Sequence, residues 1–175
     1  NDPTIKAIVI RINSPGGSAY ASDEMAHEII ACKKVKPVMI SFGDVSASGG
    51  YYMGCVGDSI FALPNTITGS IGVFALLPNT QQLFGEKLGL NYETVELGEL
   101  SAGWRPDRPL GEKERAVMQT MINEIYNDFL NTVAEGRNMS KSNVAALAEG
   151  RVYSAIDAKE LHLIDDFGGI NRAIL

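Results

Sequence analysis

The sequence predicts an α/β fold, a mostly parallel sheet flanked by helices. Three observations carry that prediction. Short β-branched runs alternate with stretches of helical period from Lys6 to Leu97, the pattern of parallel strands joined by right-handed crossovers. The runs are separated by turns rich in Gly, Ser or Pro. A long amphipathic stretch then follows. At 175 residues, 45% hydrophobic and 21% charged, the chain has globular composition and the size of one domain, taken here as 1–175.

The elements follow in order. Lys6 to Ile12 is a strand that runs into the turn Asn13-Ser14-Pro15-Gly16-Gly17. Ser18 or Ser22 caps a helix over Tyr20 to Lys34, with Met25, Ile29 and Ile30 on its apolar face and Pro37 as its stop. Val38 to Phe42 is a second strand, and the small-residue turn Gly43 to Gly50 opens a short helix through Met53. Ser59 to Leu63 and Ile71 to Leu77 read as strands around a turn at Pro64 to Ser70. Asn79 to Leu88 reads as helix, and Tyr92 to Leu97 as another strand. Gly98 to Leu110 is irregular. Glu112 to Glu135 is a long helix striped by Met118, Met121, Ile122, Ile125, Phe129 and Val133, a stripe that packing explains without a cofactor. Ser140 caps a further helix, Ile156 to Leu161 adds a turn of helix, and Gly168-Gly169 breaks the tail.

Composition narrows the function. With 15 basic and 21 acidic residues the net charge is −6, and no basic run offers a nucleic-acid footprint. No apolar stretch has the roughly 20 residues that span a bilayer. The polar start, Asn1-Asp2-Pro3, is not a secretory signal. Cys32 and Cys55 match no zinc or redox spacing, and His27 and His162 stand apart. The expectation is therefore no metal and no cofactor.

Three turns could carry chemistry. In Asn13 to Ser18, Pro15 fixes φ and the two glycines let backbone N–H groups face outward at a strand end, where they could hold an oxyanion. In Gly43 to Gly50, Ser48 stands where a strand turns into a helix, as a nucleophile whose own turn supplies a second amide. This is neither a Gly-x-Ser-x-Gly elbow, since Ser46 occupies the first glycine position, nor a phosphate loop. The third is Thr68-Gly69-Ser70-Ile71-Gly72, a weak signal by itself.

In this order and at these separations, Ile12 to Ser18, Ala47 to Tyr52 and Thr68 to Val73 resemble the signal peptide peptidase A (protease IV) family of bacterial serine–lysine peptidases. The likeness continues through Gln119 to Phe129, Gly150 to Tyr153, Ala158 and Leu161 to Asp165. It implies a Clp protease/crotonase-like fold whose first strands would precede Asn1. It also implies Ser48 as nucleophile, Gly17 and Gly49 as oxyanion-hole amides, and Ser70 as the group that holds a general-base lysine. A lysine acts as base when burial lowers its pKa toward neutrality. The implied setting is the extracytoplasmic side of the bacterial inner membrane, with anchoring segments outside this chain and assembly into a homo-oligomer. The implied substrates are remnant signal peptides and other apolar peptides.

One feature departs from the family pattern. The stretch expected to carry the lysine, Glu96 to Pro106, contains none, and Lys87 and Lys113 flank it at unmatched places. Arg105 cannot serve, because a guanidinium stays protonated. The chain thus resembles the serine-bearing, C-terminal half of the double-length family form, whose lysine would come from a companion domain or another subunit. The alternative is a catalytically incomplete scaffold of the same fold. An acyl-CoA enzyme of this fold would need acidic groups at the turn, and Asp44 is the only carboxylate there.

Overall fold

The computed structural model describes residues 2–98 and 100–175; Asn1, and Glu99 in the lysine-free segment, lie outside the described residues. The chain divides into two compact units, Asn1–Val73 with Ile125–Leu175, and Phe74–Glu124.

The first unit holds the sheet. Strand β1, Ile8–Ser14, leads through the glycine turn to helix α1, Ala19–Lys33. Strand β2 runs from Val38 to Ala47 and passes directly into helix α2, Gly49–Gly54. Strands β3, Ser59–Ala62, and β4, Ile67–Gly69, follow. After the long helix α3, Glu112–Gly136, come α4, Lys141–Leu147, strand β5, Val152–Ser154, helix α5, Ala155–Glu160, strand β6, Asp166–Phe167, and α6, Ile170–Ile174. The order is β5-β4-β2-β3-β6, with β1 also paired to β2. All pairings are parallel except β4 with β5. The mostly parallel sheet expected from sequence is present.

β2 is the spine. It pairs with three strands and is buried on both faces, as central parallel strands are. Val38, Ile40 and Phe42 are fully buried and pack into one core with Ile12, Ile60, Tyr51, Val133, Val144 and Leu163. Truncating such a side chain as Phe42 to Ala typically costs about 3–5 kcal/mol. Ser18 caps α1, accepting from the Ala21 N–H, and Ser140 and Ser154 cap α4 and α5 in the same way. The buried stripe of α1 is Ser22, Ala26 and Ile29; Met25 and Ile30, expected to face inward, are exposed. Small residues win that face because α2 packs close: a methyl placed on Gly49 would lie 2.3 Å from Ser22 Oγ.

Some sequence expectations are corrected. The turn read at Pro64 to Ser70 contains β4, and the strand read at Ile71 to Leu77 does not form. Past Ser70 the chain leaves the sheet. In the second unit Phe74 and Leu76 are 90% and 84% exposed. Tyr92 to Leu97 also forms no strand, with Val95 92% exposed and Leu97 97% exposed. Both stretches have the apolar content of strands but no neighbour to complete their ladders. The helix read at Asn79 to Leu88 reduces to one wide π-type turn, Gln82–Lys87. Among the described residues no helix is long and apolar enough to cross a membrane.

Candidate active site

The site is built where β1 and β2 both end. Asn13 locks the two ends together: its Oδ1 accepts from the Val45 N–H at 3.1 Å. Gly43 leaves room for this, since a methyl there would sit 2.5 Å from Asn13 Oδ1. Ser14 Oγ accepts from the Gly16 N–H at 3.2 Å and holds the following turn. On the other side of β2, Thr66 and Thr68 donate their hydroxyls to the carbonyls of Gly43 and Ser46, each at 2.7 Å. The stretch entering Ser48 is therefore fixed from both flanks.

Ser48 has φ 51° and ψ −122°, a conformation that costs a non-glycine residue of order 1–3 kcal/mol. It is held there by its own N–H, which donates to the Gly69 carbonyl at 2.9 Å, and by its carbonyl, which accepts from the Tyr52 N–H at 2.8 Å. The side chain is partly exposed, and the hydroxyl makes no capping bond to α2. A strained serine with a free hydroxyl at a strand-to-helix bend has the geometry of a nucleophile elbow.

The glycine turn lies against it. A methyl on Gly16, whose φ is 109°, would come within 2.7 Å of Ser48 Cβ and 2.8 Å of Gly49 N. A methyl on Gly49 would stand 3.4 Å from Gly17 N. The amides of Gly17 and Gly49 are thus neighbours beside Ser48. The Gly49 amide is the first of α2 and so has no intrahelical acceptor. Two adjacent amides with no acceptor of their own can take up negative charge on a reacting oxygen.

Ser70 enters from β4. The pairing Ala47↔Gly69 sets Ser48 and Ser70 one step past matched ends of adjacent strands. Ser70 also has φ 51°, and its N–H donates to the Arg151 carbonyl at 2.7 Å. The structure thus brings Gly17, Ser48, Gly49 and Ser70 together. Tyr51 and Tyr52, which follow Ser48 in sequence, are buried in the core. Tyr51 is wholly buried with its hydroxyl on the Leu163 carbonyl at 2.9 Å, and burial pushes it well above its ordinary pKa. Tyr52 packs on Phe129 and donates to Asp23 Oδ1 at 2.7 Å.

Three lysines of the first unit have partners away from Ser48. Lys33 donates to the carbonyls of Val56 and Gly57, Lys36 to that of Asp2, and Lys159 pairs with Asp166. Lys33 and Lys34 also stand at the end of α1 remote from Ser18, about 22 Å away along the helix. Sequence reasoning missed Thr66 and Thr68 as supports of the site. Their signal was alternation, two threonines with one residue between them, inside a stretch read as a turn.

The sequence pattern of peptidase family S49 matches residues 30–175. The chain belongs to peptidase family S49. It is 39% identical over 175 residues to "Protease 4" of Haemophilus influenzae, covering 99% of this chain and 28% of that protein. It is 41% identical over 170 residues to "Serine protease SPPA, chloroplastic" of Arabidopsis thaliana, covering 97% of this chain and 25% of that protein. The S49 chain therefore spans about a quarter of the length of these two relatives. Among solved structures it resembles a ClpP1 mutant from Listeria monocytogenes, with a TM-score of 0.63 and 18% identity over 97% of this chain and 78% of that one. The Clp protease fold expected from sequence is present.

Proposed function

We propose that residues 1–175 form the serine-bearing catalytic domain of an endopeptidase that cleaves remnant signal peptides and other apolar peptides. Ser48 Oγ attacks the scissile carbonyl while its proton passes to a neutral lysine amine. The oxyanion that forms is stabilised by the Gly17 and Gly49 amides. The lysine ammonium then protonates the leaving amine, and water, deprotonated by the same lysine, releases the acyl group from Ser48. Ser70 holds that lysine by a hydrogen bond. The lysine itself comes from a companion domain or another subunit of a homo-oligomer, since Glu96 to Pro106 holds none. The working place is the extracytoplasmic side of the bacterial inner membrane, reached through segments outside this chain.

The observation that carries this reading is the strained, partly exposed Ser48 beside two neighbouring glycine amides. The lysine-free segment favours a second reading, a scaffold that keeps the serine without turnover. Hydrolysis of an apolar peptide separates the two. The chain alone should turn over slowly, addition of a lysine-bearing domain from a longer relative should raise the rate at least a hundredfold, and Ser48→Ala should abolish the gain. A rate unchanged by the companion supports the scaffold, and serine-dependent turnover by the chain alone would mean the base is local.

A further inference from the structure

The second unit contains a cavity of about 350 Å³ that the catalytic reading does not use. Its apolar walls include Leu77, Trp104 and Leu110, and Asn79, Arg108 and Arg115 also line it. The volume is at the small end for ligand sites, room for the end of a chain rather than its length.

The walls are tied to each other. The Thr80 N–H and hydroxyl both donate to the Pro106 carbonyl, at 2.6 and 3.0 Å, which joins the segment carrying Leu77 and Asn79 to the one carrying Trp104. Most of the charge is spent internally. Arg105 pairs with Asp107. Arg108 donates to both oxygens of Glu114, at 2.7 and 2.5 Å, and Glu114 also accepts from the Gly111 N–H. Glu96 acts on Arg105 and Arg108 at longer range. Arg115 is left over: among the described residues its side chain has no ion pair or hydrogen bond. Asn79 has its Oδ1 occupied by the Gln81 N–H at 2.9 Å, which leaves its amide NH2 as a donor.

An unspent guanidinium at a cavity lined by both polar and apolar groups, with a side-chain amide donor alongside and Leu77, Trp104 and Leu110 on its walls, is complementary to a chain that ends in a carboxylate, carries peptide carbonyls and has an apolar last side chain. We propose that this cavity binds the free carboxyl end of an apolar peptide, Arg115 taking the terminal carboxylate, Asn79 a peptide carbonyl, and Leu77, Trp104 and Leu110 the last side chain. Choosing a peptide over another apolar carboxylate rests on the peptidase reading. A remnant signal peptide ends in a free carboxylate, whereas the same stretch inside an uncleaved precursor does not. The cavity would thus let the enzyme prefer remnants over intact precursors.

Trp104 is the only tryptophan in the chain, so its emission reports the cavity directly. The chain is titrated with an alanine- and leucine-rich decapeptide as free acid, with the same peptide as C-terminal amide, and with decanoate. The free acid should shift the emission saturably, at least tenfold more tightly than the amide. Arg115→Ala and Arg115→Gln should bring acid and amide within about twofold, and Arg115→Lys should restore part of the preference. Equal binding of acid and amide, absence of a saturable shift, or a preference that survives in both Arg115 variants overturns the proposal. Tighter binding of decanoate than of the peptide acid overturns the choice of a peptide. Ser48→Ala should bind the peptide as wild type does. Failure of the peptidase reading would instead show as missing Ser48-dependent hydrolysis, with this titration unchanged.

Discussion

At Ser48 the backbone angles, φ 51° and ψ −122°, match the first central position of a type II′ turn, where glycine is the residue of choice. The serine is kept there against its preference by neighbours on both sides. Replacing Ser48 with Gly should therefore raise stability, by about 1 kcal/mol, while removing the hydroxyl. Urea unfolding checks the first effect and peptide hydrolysis the second; a loss of stability would mean the bend carries no strain. Gly16 shows the same crowding from the opposite side, since any side chain there meets Ser48 and Gly49. These positions were legible in the sequence because each sits in a turn of distinctive residues. Asn13 holding Val45 was not, because that bond joins residues 32 apart and depends on the register of β1 on β2.

Helices α1, α2 and α3 meet at Tyr52. Its hydroxyl donates to Asp23 of α1, accepts from Thr132 of α3 at 3.1 Å, and belongs to α2. Burial, and then the bond to Asp23, push its pKa from the ordinary 10.0 to about 12. The folded state thus holds this proton more tightly than the unfolded chain does, so the stabilisation is complete below pH 10 and lost as pH rises through about 12. Buried Cys55, also pushed up to about 12, adds to the same loss from pH 9 upward. Urea midpoints between pH 8 and 12 should fall steeply in the wild type and less steeply in Tyr52→Phe; equal slopes would remove Tyr52 from the account. Among the elements, β1, α1, β2, α2, β3 and α3 were legible, because hydrophobic period and stop signals are local. β4, β5 and β6, of two or three residues each, were not, because only their partners make them strands. The reverse error arose at Ile71 to Leu77 and Tyr92 to Leu97, where strand-like residues find no strand to pair with among the described residues.

On the scale of the whole molecule, the two units differ in kind. The first closes around a core centred on β2. The second leaves Phe74, Leu76, Val95 and Leu97 largely in water. The companion domain proposed above would have such exposed apolar side chains to pack against. The sequence made the missing lysine legible, since absence from Glu96 to Pro106 needs no structure to see. It could not disclose the cavity beside Arg115, which depends on Thr80 meeting Pro106 across 26 residues.

The most direct measurement is fluorophosphonate labelling of the chain mixed with a lysine-bearing domain from a longer relative, mapped by peptide mass spectrometry. The account predicts one modified residue, Ser48, with labelling lost in Ser48→Ala and strongly slowed when the companion is left out. Modification at another residue, or an unlabelled Ser48 in a mixture that cleaves peptide, would contradict it.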